Sequence, residues 1–239
     1  MNIRSQILIH WTEPRLPADL SESIKPTSVG YVDLIRSIYD KGLRFSIPNT
    51  GDRLFGSSIH SPKIPQVPMI CYTELRLSDV QEHTKRYGKM GIGFDRDWLK
   101  RDCGANPVFY VQNTWGSVVT TNLPSIISEC QKIENLEAFL SFVKPMSEFF
   151  DPDSTNYEEM EWRMISRPAY IAKDNGLIPI DDAERLEKDG YFRFPLDRVL
   201  IIVAPDEETQ KAILHDPMMQ KYFDKHMPMM VTTDSCSQF

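Results

Sequence analysis

Residues 90–112, MGIGFDRDWLKRDCGANPVFYVQ, decide the fold class. Two short apolar runs in this stretch, 90–94 and 107–112, predict strands. The residues around Trp98 lie between the two runs and predict a short helix. Strand, helix and strand thus follow one another within a short span, which favours a domain that mixes both kinds of element.

Further elements are predicted on both sides of this stretch. Strands are expected at residues 6–11 (QILIHW), 68–73 (PMICYT) and 160–166. A helix capped by Thr27 or Ser28 is expected to run to about Asp40, and Gly42 stands where a left-handed C-cap belongs. Some strands are too close in sequence for parallel crossovers. The sequence therefore predicts an α+β fold with a mixed or antiparallel sheet and surrounding helices.

Length and composition indicate one ordinary globular domain. The chain has 239 residues, of which 41% are hydrophobic and 26% charged. We expect a single domain with a helical insertion around residues 121–150, in which Pro145 bends or ends the second helix. The net charge of −7 opposes a broad, non-specific grip on nucleic acid. The four cysteines form no CxxC pair, which favours reduced thiols in the cytoplasm.

The sequence contains no motif that alone identifies an enzyme or a metal site. A P-loop, GxGxxG, GxSxG and HExxH are all absent, and the five histidines show no close ligand spacing. We therefore predict no metal site. The longest aliphatic run, residues 199–204, is far shorter than the roughly 20 residues of a spanning helix, so no membrane contact is predicted.

Two places carry residue types suited to chemistry. The first is His10, at the end of the first strand and followed by Thr12; the alternative is a histidine bound to a backbone carbonyl. The second is the strand at 160–166, whose alternation puts three polar residues on one face: Glu159, Glu161 and Arg163. Its apolar face should enter the core, so we expect Trp162 and Trp98 to be mostly buried. The alternative is a solvated strand with a weak surface ion pair.

A family resemblance rests on six short segments that occur in a fixed order. They are residues 10–12, 31–43, 68–73, 87–98, 106–111 and 159–163. In this order they resemble the AbiGi family, which comprises abortive-infection (phage-resistance) proteins of bacteria labelled as the antitoxin half of a two-gene system. The resemblance covers roughly residues 7–205, and the long loop at 12–27 departs from the family pattern. It implies a role in phage defence and a cognate toxin as partner.

A more distant resemblance concerns mechanism. The His-x-Thr at residues 10–12 and the helix that follows are similar to the opening of ADP-ribosyltransferases, which act on NAD. The resemblance implies that His10 and Thr12 hold the NAD ribose and amide, and that Tyr72 stacks on the nicotinamide. Glu161 would then stabilise the cationic transition state, supported by Glu159 and Arg163. It predicts that His10, Thr12, Tyr72 and Glu161 meet in one pocket, bordered by the loop at 45–68.

Two main functions follow, and the sequence leaves both open. One is an NAD-dependent ADP-ribosyltransferase toxin, for which nucleic acid enters only as an acceptor substrate. The other is a non-catalytic antitoxin that binds and silences a cognate toxin. The lack of a basic recognition helix argues against operator binding by such an antitoxin. A third reading is an inactive transferase-like scaffold.

Overall fold

The computed structural model describes most of the chain, with several gaps. The described residues are 6–14, 26–47, 67–74, 80–112, 122, 125, 136–146, 160–166, 170–173, 176–179, 187–188 and 190–236. The predicted loop at 45–68 lies largely outside these residues, and Glu159 lies outside them entirely.

The centre of the fold is a mixed sheet of seven strands. The described residues form fourteen strands, of which seven belong to this sheet. The fourteen strands are β1 (Ile7–Thr12), β2 (Leu43–Arg44), β3 (Met69–Thr73), β4 (Met90–Asp95), β5 (Asn106–Pro107), β6 (Phe109–Gln112), β7 (Val143–Met146), β8 (Glu161–Ile165), β9 (Tyr170–Lys173), β10 (Gly176–Pro179), β11 (Glu187–Lys188), β12 (Tyr191–Phe192), β13 (Val199–Ala204) and β14 (Met229–Thr232). The large sheet has the order β14-β13-β4-β1-β3-β8-β5, in which only β13 and β14 run parallel. Smaller sheets are β11-β12-β2, β9-β10 and the parallel pair β6-β7.

Helices flank the large sheet, and the predicted α+β class is confirmed. The helices are α1 (Ser28–Lys41), α2 (Val80–Tyr87), α3 (Arg96–Arg101), α4 (Leu136–Leu140), α5 (Glu207–His215), α6 (Pro217–Phe223) and α7 (Thr233–Cys236), with a 3-10 turn at Leu196–Arg198. The first helix begins as predicted, because the Thr27 side chain accepts a hydrogen bond from the Gly30 N–H. It ends at Gly42, whose φ of 99° lies in the region that favours glycine. No helix among the described residues is both long and apolar enough to cross a membrane.

Each face of the large sheet carries its own apolar cluster. On the first face, which we call the α1 face, strand residues such as Leu8, Tyr72 and Phe94 pack with residues of α1 and α3, including Ile35 and Trp98. The opposite face, which we call the α2 face, packs against α2 and α7. Its apolar cluster consists of Ile9, Trp11, Val80, Ile201, Val203 and Cys236. Helices therefore cover both faces of the large sheet, and the strands bury side chains on each face.

Strand β4 is glycine-rich on the α2 face because its neighbours fill the space. A Cβ at Gly93 would overlap Cγ2 of Ile201 and lie 2.6 Å from Cγ2 of Ile7. The MGIGF pattern thus places large residues on one face and leaves room on the other for the isoleucines of β1 and β13.

Replacing Gly93 with alanine is expected to lower the free energy of unfolding by about 1–3 kcal/mol, since the added methyl overpacks a filled site. Chemical denaturation measures the change. Gly30→Ala is the matched control, because its Cβ would meet nothing closer than 3.6 Å and it lies in a helix, where alanine is favoured. A Gly93→Ala protein as stable as the Gly30→Ala protein would contradict this packing.

Two predicted elements differ from the structure. The run at 107–112 is divided at Val108, so that β5 joins the large sheet and β6 pairs with β7. The insertion around 121–150 is not wholly helical: α4 ends at Leu140, and Pro145 lies inside strand β7 instead of bending a helix. The parallel partner β6, distant in sequence, overrides the local helical pattern there.

Candidate functional site

His10 and Tyr72 lie side by side on the α1 face. Ile9 of β1 pairs with Thr73 of β3, which sets their neighbours His10 and Tyr72 next to each other with ring centroids 6.0 Å apart. The Nδ1 atom of His10 lies 2.9 Å from the carbonyl oxygen of Cys71. Burial lowers the pKa of His10 by more than this hydrogen bond raises it. The histidine therefore has the carbonyl contact that the simpler sequence-based reading proposed.

Tyr72 is enclosed in the core and has no face open to a ligand. Its side chain is 1% exposed and lies edge-on to Phe94 as well as to His10. Its hydroxyl has no hydrogen-bond partner among the described residues. Thr12 follows two residues after His10 on the same strand and so shares its face, and it is partly buried. Three of the four predicted NAD-contacting residues thus share a face, but Tyr72 has no room to stack on nicotinamide.

Glu161 and Arg163 lie on the opposite face of the sheet. Strand β8 pairs with β3 so that Glu161 stands opposite Thr73 and Trp162 opposite Tyr72. Cross-strand partners share a face and successive residues alternate, so Trp162 is on the α1 face and Glu161 on the α2 face. The prediction that His10, Thr12, Tyr72 and Glu161 meet in one pocket is therefore wrong. The sequence predicted correctly that Glu161 and Arg163 share one face of β8 and Trp162 lies on the other. It did not predict that His10 lies on the same face of the sheet as Trp162.

Glu161 is held in a buried double ion pair. Its Oε1 atom accepts a hydrogen bond from Arg163 Nε at 2.7 Å, and its Oε2 atom accepts one from Lys144 Nζ at 2.9 Å. The three side chains are only 7–15% exposed. Burial alone would raise the pKa of Glu161, but the charges and hydrogen bonds of Arg163 and Lys144 outweigh it and lower the pKa to about 2. The carboxylate is therefore ionised and neutralised at neutral pH.

The ion-pair cluster joins β8 to the layer formed by β6, β7 and the end of α4. The hydroxyl of Tyr110 in β6 accepts the Glu161 N–H at 3.0 Å, and the guanidinium of Arg163 donates to the Ser141 carbonyl after α4. Lys144 itself belongs to β7. The Cys71 thiol faces the same cluster, and burial together with the Glu161 charge raises its pKa. The side chains of Glu161, Arg163, Lys144 and Tyr110 all bind other protein groups. The cluster therefore connects parts of the fold.

A second closed network, which the sequence did not predict, lies at the end of β3. Glu74 accepts hydrogen bonds from Arg96 Nη1 at 2.6 Å and from the indole Nε1 of Trp162 at 3.1 Å. Trp162 is partly buried and packs against the core of the α1 face, while Trp98 is 6% exposed. The predicted burial is therefore confirmed for Trp98 and reached only in part by Trp162. A carboxylate directly after a buried strand was the one sequence signal for this network.

An open groove lies away from the predicted site residues. It has a volume of about 370 Å³ and lies between the start of α1, helix α2 and the start of α7. Charged lining residues of both signs occur in it, including Lys85, Lys89, Asp206 and Asp234. None of the predicted NAD-site residues lines it. Within the described ranges, no group of three or more His, Cys, Asp or Glu side chains is placed to hold a metal ion.

Comparison with known protein families gives one match, over residues 63–179, which is close to half of the chain. This segment matches the AbiGi family. The family is described as "Putative abortive phage resistance protein AbiGi, antitoxin". The AbiGi segment contains β3, β4, β8 and the whole ion-pair cluster, including Lys144. No curated protein and no solved structure matches the chain.

The AbiGi resemblance drawn from the sequence is confirmed over this segment. Four of its six short segments, from 68–73 to 159–163, fall inside the match, whereas 10–12 and 31–43 lie before it. The similarity to ADP-ribosyltransferases rested mainly on those first two segments, and it has no support from the comparisons. No comparison tests the individual NAD roles of His10, Thr12 and Glu161, which stay predictions, as do the supporting roles of Arg163 and of Glu159 outside the described residues. The stacking role predicted for Tyr72 does not fit its enclosed position.

Proposed function

We propose that the protein is the antitoxin of an abortive-infection system, a non-catalytic protein that binds a cognate toxin and keeps it inactive. The AbiGi match carries the proposal, because its description names phage resistance and an antitoxin. An antitoxin of this kind needs a stable surface for its partner and no reaction centre. The partner in this proposal is a protein toxin.

The geometry of Glu161 supports this reading over the transferase alternative. A glutamate that stabilises a developing ribosyl cation must present its charge to the substrate. Both carboxylate oxygens of Glu161 are bound by Arg163 and Lys144, and the residue is 8% exposed. His10, the proposed NAD contact, lies across the sheet. A transferase would need to break this ion pair and move the strand before NAD could bind.

Growth measurements and NAD assays test the proposal together. We expect the protein expressed alone to leave host growth unchanged, and the product of the adjacent gene expressed alone to arrest growth. Co-expression of the two should restore growth. The purified protein should release no nicotinamide from NAD above the blank, and Glu161→Gln, checked for folding by circular dichroism, should give the same result.

The matched control is Glu207→Gln, which removes an equal charge from an exposed pair with Lys211. The proposal fails if the protein alone arrests growth and consumes NAD while the folded Glu161→Gln variant does neither. It also fails if neither adjacent gene encodes a product that the protein neutralises.

A further inference from the structure

A three-stranded ribbon, β11-β12-β2, presents two arginines and a tyrosine on its outer face. Arg44 of β2 pairs with Tyr191 of β12, and Leu43 pairs with Phe192. Leu43 and Phe192 are 1% and 2% exposed and belong to the core of the α1 face. Alternation therefore turns Arg44 and Tyr191 outward. Arg193 follows Phe192 and is exposed, as Arg44 is, so it continues the same outer face.

Arg44 and Arg193 are diagonal neighbours on this outer face, and both are exposed. Residues placed diagonally across an antiparallel pair lie about 7–8 Å apart, which is the relation of Arg44 to Arg193. Neither makes an ion pair or a hydrogen bond among the described residues, whereas Arg96 and Arg163 are bound to carboxylates. A carboxylate that reaches either guanidinium would gain a charge-assisted hydrogen bond from it.

The ribbon is anchored firmly beneath this face. The Phe45 N–H donates to the Gly190 carbonyl at 2.9 Å, and the Phe192 ring lies 5.8 Å from that of Trp98. A Cβ at Gly42 would overlap the Phe192 carbonyl, so the turn after α1 packs directly on β12. The backbone that carries both arginines is therefore ordered before any partner binds, which lowers the cost of binding.

We propose that this outer face, Arg44, Tyr191 and Arg193, docks an acidic segment of the cognate toxin; the proposal rests on the antitoxin function above. Arginine and tyrosine are enriched among the residues that dominate protein–protein binding energy, and charge complementarity selects a carboxylate-rich partner. Arginine binds carboxylates through two parallel hydrogen bonds, which gives the contact a defined geometry. Nucleic acid fits less well, because two cations on a chain of net charge −7 fall short of a phosphate-binding surface.

The test uses the full-length protein and the purified product of the adjacent gene in a calorimetric titration. The double variant Arg44→Glu with Arg193→Glu is expected to weaken binding by about 30-fold or more, the effect of losing a dominant contact. The control Lys221→Glu with Lys225→Glu makes the same change in charge at exposed sites of α6 and the turn that follows it, and it should change affinity by less than about threefold. Wild-type affinity should also fall as salt rises.

Folding of each variant is checked by circular dichroism, and Arg44→Ala with Arg193→Ala serves as a second variant if charge reversal perturbs the fold. Binding of the folded reversal variant with wild-type affinity overturns the docking surface alone. An equal loss in the Lys221 and Lys225 control also overturns it, because the effect is then one of net charge. If a DNA or RNA duplex binds wild type and loses affinity on reversal while toxin binding is kept, the face binds nucleic acid. If wild type does not bind the adjacent product, the antitoxin function and the docking surface fail together.

Discussion

Replacing Arg163 with methionine is expected to lower the free energy of unfolding by about 2–4 kcal/mol, one of the two largest effects expected for this protein, because a carboxylate oxygen and a buried carbonyl lose their donor. Methionine matches much of the volume of arginine but removes the charge that faces Glu161 at 2.7 Å. The carboxylate then keeps only Lys144, in a site where the glutamate is 8% exposed. The Ser141 carbonyl also loses its donor. Chemical denaturation followed by circular dichroism measures the change.

A double variant and a surface pair separate charge from packing in this experiment. Glu161→Gln combined with Arg163→Met should cost more than Arg163→Met alone, because it also removes the carboxylate that the largely buried Lys144 ammonium binds at 2.9 Å. Glu207→Gln, which breaks the exposed pair with Lys211, should cost about 0.5 kcal/mol or less. A single Arg163→Met variant as stable as Glu207→Gln would contradict the description of Glu161 as a buried, neutralised carboxylate.

The pH dependence of stability gives an independent check on the same cluster. The pKa of Glu161 is lowered from 4.5 to about 2 in the folded protein, so folding favours the ionised form. Its contribution, about 3 kcal/mol, is present in full above pH 4.5 and is lost as the pH falls toward 2. Wild-type stability should therefore fall across this window, and Glu161→Gln should remove that part of the slope. An unchanged slope in the variant would contradict the low pKa.

Much of the fold could be predicted from the sequence because its signals are local. The Thr27 cap and the glycine after α1 mark the ends of that helix, and the short apolar run at 90–94 predicts strand β4. The prediction was wrong where the structure of a segment depends on a strand that is distant in sequence. Pro145 lies in a strand because β6 offers its edge to β7, and nothing in the residues around Pro145 indicates that pairing.

The candidate site shows the same division between local and long-range information. The sequence predicted that Glu161 and Arg163 share a face and can pair, and the structure has that pair. It did not predict that β6 and β7 cover the pair, which turns a weak surface contact into a buried one. Lys144 was missed for this reason, since its role exists only once β7 lies against β8. The relative face of His10 and Glu161 depends on the register of β1, β3 and β8, which no single strand encodes.

Replacing Trp98 with alanine should cost about 3–5 kcal/mol of unfolding free energy, through the cavity that loss of the indole leaves. Trp98 is 6% exposed, and its ring lies 6.4 Å from that of Phe94 and 5.8 Å from that of Phe192. The guanidinium of Arg198 lies over the same ring, 5.7 Å from its centre. Thermal and chemical denaturation measure the loss, and Trp98→Phe should retain a large part of the stability.

Arg198→Ala is the matched control, because it removes only the cation above the indole and should cost about 0.5–1 kcal/mol. The Trp98 ring packs against Phe192, which lies between Tyr191 and Arg193. Loss of the indole should therefore loosen the ribbon and weaken toxin binding, whereas Arg198→Ala should leave toxin binding unchanged. A Trp98→Ala protein that loses less than about 1 kcal/mol would mean that the ring is not enclosed. If instead it is destabilised as expected but binds the toxin with full affinity, the ribbon holds its shape without the indole, and its rigidity comes from the turn at Gly42.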